Sequence, residues 1–155
     1  ELDPLGAGYN TIKSKIAIGS GQIYGQGLFK GIQTQNNGVP VKESDFIFTV
    51  IGEELGFIGA AIVILLIFFI LIRCIYIAKN SRDFYGSFLV SGVVAMLAFH
   101  AFENIGMTIG LLPVTGVPLP FVSHGASSMI SNYLAIGIVL SVSMRRKKAI
   151  FNTEE

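Results

Sequence analysis

The chain has 155 residues, of which 52% are hydrophobic and only 14% charged, and its mean hydropathy is +0.65. An ordinary globular domain carries about 25% charged residues, and a core this small could not keep so many apolar side chains from water, so a soluble fold is excluded and lipid is the expected solvent. Eleven Lys and Arg against ten Asp and Glu leave no basic excess to neutralise a nucleic-acid backbone, and a single cysteine, Cys74, rules out an internal disulfide or a multi-cysteine metal site.

The first 45 residues are polar and rich in glycine, with Gly6, Gly8, Gly19, Gly21, Gly25, Gly27 and Gly31 suited to tight turns and close backbone approach. Within them, residues 11–18 place Ile12 and Ile16 four apart beside Lys13 and Lys15, which predicts a short amphipathic helix lying at the membrane surface. Asp45 stands just before an apolar helical run, where Asp is a favoured N-cap.

Residues 55–72 form an uncharged run of 18 that, at about 1.5 Å per residue, nearly crosses a hydrocarbon core of about 30 Å; extended to Ala78 it spans one. Glu53 and Glu54 fall in the same predicted helix near the membrane boundary, where acids usually snorkel, cap a neighbour or stay solvated. Gly52, Gly56 and Gly59 permit close helix approach. Residues 84–102 are a second run, of 19, whose only ionisable side chain is His100, followed by Glu103 and Asn104. An ionisable group at that depth is functional by default, the alternative for Glu103 being an interface position at the helix end. His100 shares its helix face with Glu103, which allows either a His-Glu pair or a lone core histidine. The 105–123 connection holds Pro113, Pro118 and Pro120 in an apolar stretch and predicts a non-helical loop dipping toward the membrane, with its backbone satisfied by protein or a cavity. Residues 125–144 are a third uncharged run, closed by Arg145, Arg146, Lys147 and Lys148.

The reading is an all-α, polytopic membrane protein with three transmembrane helices. Arg73, Lys79 and Arg82 at the first connection and the basic C-terminal cluster place both on the cytoplasmic side, so residues 1–45 form a large outward loop and 46–155 a three-helix membrane segment with a cytoplasmic tail. Lys13, Lys15, Lys30 and Lys42 then lie on the minority side, which long loops tolerate. The chain opens with Glu1-Leu2-Asp3-Pro4, without a signal-peptide pattern or an initiating Met, and is expected to be the C-terminal part of a longer protein.

Read in order, DPLGAGYN, SKIAIGSG, SDFIFTVIGEELGFIG, FENIGMTIGLLPVTGVPLPFVS and the terminal basic cluster closely resemble the C-terminal part of the SEDS family of shape, elongation, division and sporulation proteins (RodA, FtsW, SpoVE). The wording at Gly6 to Asn10 and Ile32 to Gln35 resembles the RodA branch more than the FtsW branch. The resemblance implies a bacterial, multi-pass enzyme of the cytoplasmic membrane, a peptidoglycan glycosyltransferase that polymerises lipid II into glycan strands beside a class B penicillin-binding protein. The competing readings are a flippase of the lipid-linked precursor and a non-catalytic scaffold for the penicillin-binding protein. Three helices and a polar loop bury little of a lipid-and-sugar substrate, so this segment alone is expected to be inactive.

Asp45 matches the family's essential aspartate. A carboxylate there suits a base that takes the acceptor hydroxyl's proton, or a ligand holding a divalent cation such as Mg²⁺ against the pyrophosphate. Lys13 and Lys15 are candidate binders of the pyrophosphate, or of anionic membrane lipids; Ser123 and His124, closing the second outward loop, are further substrate-binding candidates. No metal site is assigned. Around the aspartate the family usually reads Pro-Glu-x-His-Thr-Asp, whereas Val41 and Glu43 stand here in place of the Glu and the His; after PLPFVS, His124 and Ala126 replace the usual Tyr and Gly. These departures mark either altered substrate handling or weakened catalysis.

Overall fold

In the computed structural model, residues 7–32 and 44–145 are described, with side chains from residue 10 onward. Among the described residues the helices are, in order, α1 (Ala7–Ser20), α2 (Ile47–Glu54), α3 (Gly56–Lys79), α4 (Phe84–Thr108) and α5 (Ala126–Met144), and no strand occurs. Helices α3, α4 and α5, of 24, 25 and 19 residues, are long and apolar enough to cross a membrane, and they coincide with the three expected crossings.

One expectation fails at the start of α3. Glu53 and Glu54 do not lie inside the first membrane helix; they end the separate helix α2, and the chain breaks at Leu55 before α3 begins. The break is stabilised by the turn after α1. Gln26 and Gly27 donate their N–H groups to the carbonyls of Glu53 and Glu54, both at 3.0 Å, while Phe57 and Ile58 donate to the carbonyls of Gln22 and Ile23 at 2.9 and 3.2 Å. One loop thus satisfies the orphan acceptors of α2 and the orphan donors of α3. Backbones come this close only without side chains between them. Gly56 has φ +68, and a Cβ there would run into the Gly25 N–H and the Ile23 carbonyl. The same overlay leaves Glu53 fully buried, against the solvated or snorkelling role expected of it.

Helix α1 forms over the predicted stretch, with Ile12 and Ile16 on its outer side and small residues on the face it packs inward. Ile12 and Ile16 are 42% and 52% exposed, whereas Ser14 and Ala17 are fully buried against α2 and α4. Small residues let three helices meet there, and hydroxyls meet the hydrogen-bonding demand: the Ser14 hydroxyl donates to the Thr108 carbonyl at 2.7 Å and pairs with Thr49 Oγ1 at 2.5 Å. Since Ser14 has one proton, already given to Thr108, the Thr49 hydroxyl is the donor between the two.

Two apolar clusters knit the bundle. Phe48, Ala60, Ile67, Ala101 and Leu119 join α2, α3, α4 and the α4–α5 loop at one end. Cys74, Ala78, Val90 and Val139 join α3, α4 and α5 toward the basic end. Outside them α3 presents Ile62, Leu65, Leu66, Phe68 and Phe69, each more than half exposed, the surface expected of a helix solvated by acyl chains or by another helix.

Candidate functional site

Helix α4 runs one and a half turns beyond the predicted run, so Glu103 and Asn104 are helical and buried, at 9% and 0% exposure. The following loop folds back over them. Thr115 Oγ1 donates to Glu103 Oε1 at 3.1 Å, and Asn104 Nδ2 donates to the Val117 carbonyl at 2.7 Å. Farther along, the Leu119 N–H is accepted by the buried hydroxyl of Ser123 at 2.7 Å, with Leu119 itself 1% exposed. The connection expected to be non-helical from residue 105 is helical to Thr108 and non-helical over its proline-containing part, where side chains satisfy its backbone.

Asp45 sits against this loop. Its carbonyl accepts the second N–H of Asn104 at 2.9 Å, its Oδ1 accepts the Ser44 hydroxyl at 2.6 Å, and its Oδ2 faces Gly116, where a Cβ would lie 3.3 Å away. Gly116 has φ +71, so the loop passes beneath the carboxylate in a conformation and at a clearance that favour glycine. The N-cap role open to Asp45 in the sequence is not the one it takes. Phe46 occupies that position and α2 has no side-chain cap. The carboxylate is left half-buried, with one oxygen bonded by a neighbouring hydroxyl, which suits a proton acceptor.

The structure brings together Asp45, Glu103, Asn104 and residues 115–117. Sequence reasoning found the two acids and missed Asn104, although a polar side chain within a membrane-length helix was the available signal. Lys15 is exposed and its side chain lies over Gly110, at the start of the same loop; Lys13 is half-buried two residues earlier on α1. Ser123 is 2% exposed and serves the loop backbone, and His124 is exposed at the loop's end. His100 contacts the Phe99 ring, and no hydrogen bond joins it to Glu103. Val41 and Glu43 lie outside the described residues. Among the described residues no three His, Cys, Asp or Glu side chains converge, so a cation at Asp45 would need most of its oxygen ligands from elsewhere.

A second feature had no signal in the sequence. An apolar cleft of about 620 Å³ opens between α1, α2, α3 and α4, lined among others by Ile18, Phe48, Phe57, Ala61, Leu65 and Ile105. Phe48 lies three residues after Asp45, and Ile105 follows Asn104, so the cleft adjoins the segments that carry the carboxylate and its tether.

The sequence model of the cell cycle protein family FtsW/RodA/SpoVE matches residues 1–148. The chain is 45% identical over 147 residues to the peptidoglycan glycosyltransferase MrdB of Escherichia coli K12, covering 95% of this chain and 40% of that protein. It is 44% identical to the stage V sporulation protein E of Bacillus subtilis, over 91% of this chain and 38% of the relative. It thus spans about two fifths of the length of such relatives. Among solved structures, one described as a peptidoglycan synthase complex that coordinates polymerization and crosslinking superposes with a TM-score of 0.72 at 33% identity, covering 94% of this chain and 39% of that one. An aspartate-to-alanine mutant of the Thermus thermophilus rod shape determining protein RodA superposes with a TM-score of 0.65 at 34% identity, over 68% of this chain and 35% of that one. The matches run along nearly the whole chain in sequence and in fold, and the chain belongs to the FtsW/RodA/SpoVE family.

Proposed function

We propose that the chain supplies the acidic site of a peptidoglycan glycosyltransferase that polymerises lipid II. The observation that carries this is the Asp45 carboxylate, half-buried, excluded from helix capping and facing a loop held in place from α4. In the reaction an acceptor sugar hydroxyl attacks an anomeric carbon bearing a lipid pyrophosphate. Asp45 takes the hydroxyl proton as the new C–O bond forms and the bond to the pyrophosphate breaks; such help contributes about 10² to 10⁴ in rate. Lys15, over the same loop, is placed to attract the departing pyrophosphate. His124, exposed at the loop's end, and the flanking Lys13 supply further polar contacts, while Ser123 contributes by shaping the loop. The apolar cleft beside the site suits an isoprenoid tail.

The same reading orients the protein with the Asp45 end of the bundle outside the bacterial cytoplasmic membrane and the basic C-terminus inside, from the placement of Arg73, Lys79, Arg82 and residues 145–148. Its partner is the single membrane helix of a class B penicillin-binding protein, received on α3 and α4.

The test is Asp45→Asn in the full chain with its partner. Asn retains size and the hydrogen bond with Ser44 but accepts no proton, so membrane insertion and partner binding persist while lipid II polymerisation falls by at least about 10²-fold. Near wild-type polymerisation by the Asn variant refutes the assignment. Loss of lipid II translocation with polymerisation intact would instead identify a flippase, and loss of neither a scaffold.

A further inference from the structure

We propose that Asn104 is a positioning residue for the polymerising reaction, a clamp that sets the Asp45 carboxylate at its working distance from the 115–117 loop. The inference rests on the reading of Asp45 as the base.

Asn104 is fully buried in a helix long enough to cross a membrane, where an amide is expensive unless its hydrogen-bonding capacity is used. Both N–H groups of its Nδ2 are used, on the carbonyls of Asp45 at 2.9 Å and Val117 at 2.7 Å. Two carbonyl oxygens can face only the nitrogen of an amide, so the orientation of the side chain follows from its neighbours' chemistry. The Oδ1 atom is buried with no partner among the described residues. An amide whose role was to join two helices would need only one of these bonds.

The two carbonyls belong to the two walls of the site. One is the backbone of Asp45 itself. The other is Val117, adjacent to the glycine that lies under the Asp45 carboxylate. A single planar amide thus spans from the base to the surface it faces, fixing their separation through two bonds less than 3 Å long. Glu103, the preceding residue, holds Thr115 on the other side of Gly116, so consecutive residues of α4 restrain the loop on both flanks of the carboxylate. Among the described residues, the bond from Asn104 is the hydrogen bond that ties Asp45 to a segment distant in sequence. A displacement of about 1 Å in a reacting group can cost about 10²-fold in rate.

A built-in comparison separates positioning from mere packing. Ser14 is buried to the same degree and bonds to α2, which follows Asp45, and to α4, which carries Asn104, but its hydrogen bonds reach neither Asp45 nor the 115–117 loop.

The experiment measures kcat and KM for lipid II in the full chain with its partner, for Asn104→Ala, Asn104→Asp and Ser14→Ala, beside thermal unfolding of each in detergent. Asn104→Ala is expected to lower kcat by at least about 10-fold with KM within about threefold, the signature of losing an interaction that matters in the transition state. Ser14→Ala is expected to unfold at a lower temperature with kcat retained. Asn104→Asp, the same shape with acceptors where the donors were, is expected to fall at least as far as Asn104→Ala, and it decides the matter if the alanine variant does not accumulate. The proposal is overturned if Asn104→Asp or Asn104→Ala keeps kcat within about threefold of wild type, if the loss lies in KM alone, or if Ser14→Ala loses kcat in parallel. Should Asp45→Asn prove active, the reading of the base falls; an inactive Asp45→Asn beside fully active Asn104 variants removes the clamp alone.

Discussion

Thr115 Oγ1 donates to Glu103 Oε1 at 3.1 Å, so an acid near the end of a membrane-length helix serves as an anchor for the loop beneath Asp45. An acceptor in that position need not be charged. Glu103→Gln is therefore expected to keep polymerisation within about threefold, whereas Glu103→Val, which leaves Thr115 without its partner, lowers it by about 10-fold through the displaced loop. A fall of about 10² in the Gln variant, measured with matched amounts of protein and partner, would show that Glu103 acts as a second acid-base group instead.

The junction of α2 and α3 depends on a glycine that no other residue can replace without strain. Gly56→Ala meets both a positive φ and two backbone atoms of the 21–27 turn, and is expected to destabilise the protein by at least about 2 kcal/mol. Gly137 on α5 has nothing within 4 Å of a built Cβ, and Gly137→Ala should leave the unfolding temperature unchanged or slightly raised. Thermal unfolding of the two variants in the same detergent compares them directly, and equal behaviour would mean that the turn does not restrain the junction.

Orientation is open to chemical labelling, with a constraint that the packing imposes. Cys74 is buried between α3, α4 and α5, so its failure to react would say nothing about sidedness. The informative sites are exposed ones. In a Cys74→Ala background, Thr115→Cys is expected to react with an impermeant thiol reagent in intact cells, and Asn80→Cys only after permeabilisation. The reverse pattern would invert the protein in the membrane.

The outer face of α3 offers a graded test of the partner. Photo-crosslinkers at Leu66 and Phe69, 58% and 62% exposed and outside the apolar cleft, are expected to capture a class B penicillin-binding protein in cells, while one at Ile67, 8% exposed, stays within the chain. Capture of lipid alone at both exposed positions would assign this face to the bilayer.

The crossings were legible because a bilayer demands about 20 apolar residues in a row and the chain has three such runs. Asp45 was legible only through the family's motif, since as a sequence feature it reads equally well as a helix cap. What escaped were effects of chain segments meeting at a distance. The break at Leu55 needs Gly56 locally, but it is held by a turn about 30 residues upstream, and a glycine alone does not tell a break from a close helix approach. The inner face of α1 gave no signal, because Ser14 and Ala17 are small and form no apolar pattern, while the visible pattern, Ile12 and Ile16, lies on the outer side. Asn104 passed as the residue after Glu103 because the carbonyls it binds, at Asp45 and Val117, are 59 and 13 positions away.

Those separations carry a consequence for biosynthesis. Chains enter the membrane in order, at about 5–20 residues per second, and earlier segments fold before later ones exist. Asp45 is made before α3, yet the amide that steadies it comes near the end of α4 and the glycine beneath it later still. While α3 and α4 are being inserted, the carboxylate has neither its tether nor its facing surface. A nascent or truncated chain ending before residue 117 would thus display the acid without the surroundings it has here, and those surroundings close only once the α4–α5 loop has been made.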